Sequence, residues 1–370
     1  MDVDQKQGKK MIGWILIILY ALLIFISIAG VINLPETKLD NQPAENDFSI
    51  IVAFKNEQKN LPVLLTSLKN LNYPKSLFEI IMVNDHSGDN FEKIKKQHPE
   101  ILWINNRGNG KKEALETGIE KSSKTWIITT DADCKIPVNW LIYFDQVIRN
   151  QASKMILGPV KYFERNDLLA RFQQFEFLSL QAFTMAGIAL KNPFLANGAA
   201  LGFEKKAYQE VNGYEGNRQL ASGDDIFLLE KFQKRFKGQI HFIKNSEAVV
   251  LTRCQNSLPA MLQQKIRWSS KTKYQKNIWA KITGLIVTLT NIYLIVAWIL
   301  IWKDPDYLKF IIGKFLLDAG LFLSVKTFYG VKFNLFQFFL SYIIYPFYFI
   351  YVLIKSLTGK YIWKETSYSI

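Results

Sequence analysis

Two carboxylates one residue apart, Asp131 and Asp133, close the stretch Trp126–Cys134, W-I-I-T-T-D-A-D-C. Trp126 to Thr130, just before them, have the aromatic and β-branched types of a buried parallel strand. In open α/β sheets, ligands bind where such strands end, at the carboxyl edge. Two acids on a bend there can present hard oxygens to a divalent cation such as Mg2+ or Mn2+. The same residues also read as an Asp-rich surface turn, so the choice rests on what neighbouring strand ends carry.

A first strand, Phe48–Phe54, ends in Ala53-Phe54-Lys55-Asn56-Glu57, and a second, Phe78–Val83, in Asn84-Asp85-His86-Ser87-Gly88-Asp89. A third, Ile101–Ile104, runs into Asn105-Asn106-Arg107-Gly108-Asn109-Gly110-Lys111-Lys112, which adds glycines and cations. Four successive strand ends thus offer hydrogen-bonding groups, an acid, cations and a paired acid. That set suits a nucleoside diphosphate: a carboxylate for base or ribose, cations for phosphates, and a metal between them. Neither the GxxxxGK[ST] of a P-loop nor the GxGxxG of a dinucleotide fold is present. His86, His98 and His241 form no ligand cluster and read as structural or surface residues. Cys134 reads as a small wall residue, and Asn197 and Gly198 either border an acceptor site or pack.

The combination S-I-I-V-A-F-K-N-E, V-N-D-H-S-G-D, G-K-K-E-A-L, D-A-D, G-D-D and Q-K-I-R-W resembles the family 2 glycosyltransferases of GT-A fold. The resemblance covers about Phe48 to Trp268. It implies that Ala53, Glu57 and Asp85 lie by the uracil and ribose of a UDP-sugar, with Lys111 near the nucleotide. It makes Asp131 and Asp133 the D-x-D pair, Asp133 being the more direct metal ligand. Asp225 matches the base that deprotonates the acceptor hydroxyl, with Asp224 beside it as a second catalytic acid, and Gln264, Arg267 and Trp268 match the Q-x-x-R-W motif of membrane-embedded members. The chain departs from the family in having Asp224 where Glu is usual and Asn84 where Asp is frequent. On a helix Gln264 falls three and four residues before Arg267 and Trp268, so the three share a face. Trp268 could stack on a sugar there and Arg267 could reach the diphosphate.

The elements that must position these residues alternate. Strands at Phe48–Phe54, Phe78–Val83, Ile101–Ile104 and Trp126–Thr130 are separated by helical segments, the first over Gln58–Leu71. That pattern predicts an α/β fold with a mostly parallel sheet and flanking helices. Met155–Phe163 is a further strand candidate and Leu168–Leu190 an aromatic-rich helix whose Gln and Glu content argues against a full crossing. Ala196–Phe203 is short and contains glycine, Gly213–Asp225 reads as a loop before a helix from about Ile226, and Leu258–Trp268 suits an interfacial helix.

In the 370 residues, aromatics are 14% and the formal charge is +14, with a mean hydropathy of +0.02. The apolar excess lies at the two ends. Met11–Ile32 is long enough to cross a bilayer and lacks an A-x-A cleavage signal, so a retained anchor is expected rather than a signal peptide. Ile282–Trp302 and Leu335–Leu353, the latter with Pro346, are further crossings. Tyr307–Phe328 is marginal because Lys309, Lys314, Asp318 and Lys326 would each cost roughly 2.5–3.5 kcal/mol near the bilayer centre. Lys314 and Asp318, four apart, can compensate each other.

The expected division is an anchor at 1–33, a linker at 34–47 and a catalytic domain at 48–256. An interfacial helix (257–281), about three transmembrane helices (282–358) and a tail (359–370) follow. The scattered lysines carry no zinc-finger, homeodomain or RNA-recognition signature, so nucleic acid is excluded as a partner and an anionic membrane surface is preferred. The two cysteines suggest no disulfide framework. Lys265, Arg267, Lys271, Lys273, Lys276 and Lys281 place the catalytic domain in the cytoplasm by the positive-inside rule, at the inner cell membrane; Lys6, Lys9 and Lys10 pull the N-terminus to the same side, and the larger cluster takes precedence.

The activity expected is inverting, metal-dependent transfer from a UDP-sugar to a lipid or lipid-linked acceptor. A processive synthase of an extracellular polysaccharide competes with it; one crossing before the domain and about three after leave little material for a channel. A membrane-tethered nucleotidyltransferase would need an arginine- and glycine-rich phosphate loop, which Ala53–Leu61 lacks.

Overall fold

The computed structural model describes residues 3–40, 42–216, 223–358, 360–363 and 366–369. In chain order the elements begin with α1 (Val3–Asn33), β1 (Phe48–Phe54), α2 (Leu61–Lys69), β2 (Phe78–Asn84), α3 (Glu92–Lys96), β3 (Leu102–Asn105), α4 (Lys111–Lys121) and β4 (Trp126–Thr129). Next come α5 (Trp140–Asn150), β5 (Met155–Leu157), β6 (Val160–Tyr162), α6 (Leu168–Ala189), β7 (Leu201–Glu204), α7 (Lys205–Glu210), α8 (Asp224–Arg235), β8 (Ile240–Phe242) and β9 (Val250–Thr252). The chain continues through α9 (Leu258–Ser270), α10 (Ile278–Leu300), α11 (Tyr307–Lys326) and α12 (Leu335–Thr358) to the strands β10 (Lys360–Trp363) and β11 (Thr366–Ser369). They divide into two compact units.

The first unit, Leu34–Glu164 with Lys191–Cys254, is built on a seven-stranded sheet of order β3-β2-β1-β4-β7-β5-β8. The expected α/β class is found: only β7 runs antiparallel to its neighbours. Strands covered on both faces need continuous apolar sequence rather than alternation. Ile50, Ile51, Val52, Ile81, Met82, Val83, Ile127 and Ile128 are accordingly sealed from solvent. Phe54 of β1 lies opposite Asn84 of β2, and Ile51 opposite Thr129 of β4. That register brings the ends of β1, β2 and β4 to one edge.

Three expectations change. Met155–Phe163 is not one strand but two, β5 and β6, which belong to different sheets. Gly158 and Pro159 separate them: Pro159 has no N–H to carry a ladder, and a Cβ at Gly158 would come within 2.8 Å of Ala200 Cβ. The short segment around Gly202 is a central strand, β7, where a Cβ at Gly202 would lie 2.5 Å from the Phe144 ring. The helix expected over Gln58–Leu71 is α2, starting at Leu61 with Pro62 in its first turn, where the missing N–H costs nothing. Of the loop expected over Gly213–Asp225, residues 217–222 lie outside the described residues.

The second unit, Met1–Asn33, Arg165–Leu190 and Gln255–Ile370, is mainly helical. Lys10–Asn33, Ile278–Leu300 and Leu335–Leu357 are long and apolar enough to cross a membrane. Among the described residues two C-terminal helices therefore meet that test, against about three expected. α11 falls short because of its charges, of which it buries one: Lys314, 1% exposed, pairs with Asp318 at 2.6 Å, and the Tyr20 hydroxyl donates to the same carboxylate. α6 belongs to this unit, so the span 48–256 is interrupted by a helix that packs with α1, α11 and α12. Gly30 of α1 meets Ala186 of α6 so closely that a Cβ would lie 2.8 Å from its Cα. α9 is more than a surface helix: Met261, Lys265, Ile266 and Ser270 are buried. In the tail, β10 and β11 form an antiparallel hairpin.

Candidate active site

The ends of β1 and β2 are laced together. Asn56, at φ 56°, accepts from the Gly88 N–H through its side chain (2.8 Å) and donates its own N–H to Ser87 Oγ (3.0 Å). Asp89 accepts from the Gln58 N–H at 2.7 Å. These bonds fix the turn carrying Glu57, whose Oε2 accepts from Asn60 Nδ2 at 2.6 Å. Ala53 is the penultimate residue of β1, opposite Val83.

Asp85 is buried, and its Oδ1 accepts from Asn106 Nδ2 (2.7 Å) and from the Gly110 N–H (2.9 Å). Asn106, also buried, accepts in turn from the Gly108 N–H and Thr117 Oγ1. His86 closes on the Gly108 carbonyl at 2.7 Å. The loop 106–110 is therefore shaped by Asp85 and Asn106, and Gly110, at φ 91°, turns it into α4, where Lys111 is the first residue. Only glycine adopts that φ without strain.

Lys111 brings together the acids of two distant stretches. Its Nζ lies 2.7 Å from Asp131 Oδ1, just past β4, and 3.3 Å from Asp224 Oδ2, at the start of α8. Desolvation would lower its pKa, but Asp131 and Asp224, with Asp225 behind them, more than reverse this and hold it above the ordinary lysine value. At Asp133 burial and neighbouring charge act in the same sense: desolvation, then the charges of Asp131 and Glu57, push its carboxyl up to about 7. Its Oδ1 accepts from Thr252 Oγ1 at 3.3 Å. Gly198 completes the corner. A Cβ there would lie 3.2 Å from Asp224 Oδ2 and 3.3 Å from Lys111 Nζ. Thr129 Oγ1 pins its carbonyl at 2.9 Å.

Glu57, Asp85, Lys111, Asp131, Asp133, Asp224 and Asp225 thus all belong to the sheet unit, and electrostatic or direct contacts link Lys111, Asp131, Asp133, Asp224, Asp225 and Glu57. Asp225 and Asp224 sit in the first turn of α8, where the helix dipole favours carboxylates. Gln264, Arg267 and Trp268 lie on α9 of the helical unit, all partly exposed. Gly198, read from sequence as either bordering an acceptor site or packing, lies against the charged centre; Thr252 as a partner of Asp133 was not assigned from sequence. Thr252 ends a three-residue strand far along the chain and leaves no local signal.

The donor set fits a divalent metal. Asp131 and Asp133 offer hard carboxylate oxygens, and crowding at Asp133 is the strain a cation relieves. Among the described residues no group of three or more His, Cys, Asp or Glu is placed to hold a metal. Two carboxylates leave coordination positions for substrate oxygens, the usual arrangement for a metal bound together with phosphates.

Residues 49–211 match the model of Glycosyl transferase family 2. That span contains Glu57, Asp85, Lys111 and the Asp131–Asp133 pair. The chain is 24% identical to glycosyltransferase AglE of Haloferax volcanii, over 70% of this chain and 83% of that protein. It is 23% identical to a poly-beta-1,6-N-acetyl-D-glucosamine synthase of Staphylococcus epidermidis, over 76% of this chain and 72% of the synthase. In fold it is similar to the mannosyltransferase PcManGT of Pyrobaculum calidifontis, solved with GDP-Man and Mn2+. The TM-score is 0.59 at 14% identity, covering 95% of this chain and 97% of that one. The fold is GT-A-like.

Proposed function

We propose that the protein is a membrane-bound, metal-dependent, inverting glycosyltransferase that moves a sugar from a UDP-sugar to a lipid or lipid-linked acceptor. The observation that carries the reading is the Lys111 ammonium held between Asp131 and Asp224. It joins the strand-end acid pair to the acids of α8, as a reaction needing both a diphosphate site and a base requires.

In this reading Ala53, Glu57 and Asp85 border the nucleoside, with Asp85 also holding the loop that presents Lys111. Asp131 and Asp133 hold Mg2+ or Mn2+ with the diphosphate, and Lys111 turns toward the phosphates. The bound metal supplies positive charge against the departing UDP. Asp225 accepts the acceptor hydroxyl proton, while Asp224 keeps Lys111 in place. Attack opposite the leaving group inverts the anomeric carbon. Arg267 and Gln264 serve the diphosphate and Trp268 stacks on a sugar ring. The three apolar helices hold the chain in the inner cell membrane, with the catalytic domain in the cytoplasm.

The test is incubation of membranes with labelled UDP-glucose, UDP-N-acetylglucosamine and GDP-mannose, with and without EDTA, followed by separation of lipid-extractable from polymeric product. Lipid-extractable label from a UDP-sugar, lost in EDTA, is expected. The likeness to a poly-beta-1,6-N-acetyl-D-glucosamine synthase favours a second reading, processive synthesis. Label in polymer would select it. Transfer from GDP-mannose alone would replace the donor, and full turnover in EDTA would remove the metal.

A further inference from the structure

Between Gln264 and Arg267 of α9 stands Lys265, a lysine with no role in the proposed site. The side chain of Lys265 is 3% exposed, and its ammonium pairs with the Glu176 carboxylate of α6. Glu176 Oε1 accepts from the Tyr348 hydroxyl of α12 at 2.9 Å. The same ammonium lies 4.4 Å from the centroid of the Trp268 ring, three residues on along the same face. Phe177 flanks that ring at 6.3 Å between centroids, and Phe172 holds Tyr348 edge-on at 4.9 Å.

A buried ion pair is a poor way to glue helices, since apolar residues of similar volume are usually as stabilising or more so. What the charge adds is direction. An ammonium over an indole face fixes where the ring lies, and Glu176 with Tyr348 fixes the ammonium from two further helices. We propose that Lys265, held by Glu176 and Tyr348, is a positioning residue that sets the Trp268 ring for the sugar of the acceptor. The inference rests on the role given to Trp268 under the proposed function and deepens it.

The test uses the full chain in native membranes, which hold the acceptor whatever its class, with labelled UDP-glucose and UDP-N-acetylglucosamine. The readout is sugar transferred per UDP released, a ratio that the amount of folded enzyme does not alter. Trp268→Ala is expected to lower it, and an unchanged ratio there would overturn the role of Trp268 and the inference with it. If Trp268→Ala lowers the ratio, Lys265 is tested separately. The double variant Lys265→Met/Glu176→Leu leaves no unpaired charge and is expected to reduce the ratio about tenfold, within what a desolvated cation–π contact contributes. Lys265→Arg should restore most of it. Tyr348→Phe, which removes one hydroxyl, should reduce it about two- to fivefold and serves if the double variant does not fold. A wild-type ratio in Tyr348→Phe and in the folded double variant overturns the positioning role while leaving that of Trp268 standing.

Discussion

Lys314 and Lys111 each stand beside aspartates, and the two places differ in how the charges balance. Lys314, in the helical unit, meets one carboxylate, Asp318, and the faces of Tyr20 and Tyr342 at 5.1 and 5.4 Å. Tyr20 adds a hydroxyl to that carboxylate. One positive charge answers one negative, and the polar valences are closed. Lys111, in the sheet unit, touches Asp131 and Asp224, feels Asp225, and leaves Asp133 crowded against Asp131 and Glu57. Negative charge is in surplus, and the surplus lies where strand ends meet. A balanced pair makes a helix compatible with an apolar interior; an unbalanced set calls for a cation and a ligand.

The largest effect is expected where the surplus is removed. Asp131→Ala deletes a carboxylate of the metal pair and the partner of Lys111, and transfer should fall about a thousandfold or more, since metal and charge stabilisation are worth several kcal/mol. Mn2+ binding in the presence of UDP, followed by paramagnetic resonance, should weaken with it. Undiminished turnover would mean that the acid excess has no catalytic use. Asp225→Asn keeps size and polarity but cannot take a proton, and should lower kcat about 10²- to 10⁴-fold. UDP affinity measured by calorimetry should stay near wild type; a parallel loss of nucleotide binding would move Asp225 out of the base role.

The balanced pair should respond in stability instead. Lys314→Met leaves Asp318, whose side chain is 21% exposed, without its cation and should cost about 1–3 kcal/mol, whereas Lys314→Met/Asp318→Leu should come back close to wild type. Thermal unfolding in lipid nanodiscs reads both. Activity of the folded double variant should match wild type. If the double variant is stable yet inactive, the pair is functional and the contrast with Lys111 fails.

The contrast is partly legible in the sequence. Asp131 and Asp133 stand out because an apolar run stops at them, and β1, β2 and β4 were readable because two-sided burial demands unbroken apolar strands. Lys314 and Asp318 could be paired from their spacing alone. What stayed hidden depends on distant chain. β7 is four residues with a glycine, and its place beside β4 follows from the Phe144 ring filling the space of a Gly202 side chain. The break between β5 and β6 was visible as Gly158-Pro159 but outweighed by the apolar run around it. Among the site residues, the acids announced themselves by type and position. Gly198 carries no functional group, and its closeness to Lys111 and Asp224 is purely a matter of packing.

Thr252 offers the finest test of the contrast, because it touches the surplus through one weak bond. Its hydroxyl donates to Asp133 Oδ1 at 3.3 Å, long for an O–H···O contact. A bond of that length to a charged group should contribute about 0.5–1 kcal/mol, below the 1.5–3 kcal/mol of well-formed ones. Thr252→Val removes the donor and should change Mn2+ affinity in the presence of UDP by about two- to fivefold, toward weaker binding if the bond orients Asp133 for the metal. Tyr20→Phe takes a hydroxyl from the balanced pair and should leave Mn2+ affinity untouched. Equal effects from the two substitutions would show that metal binding reports on general stability, and the distinction between balanced and surplus charge would lose its basis.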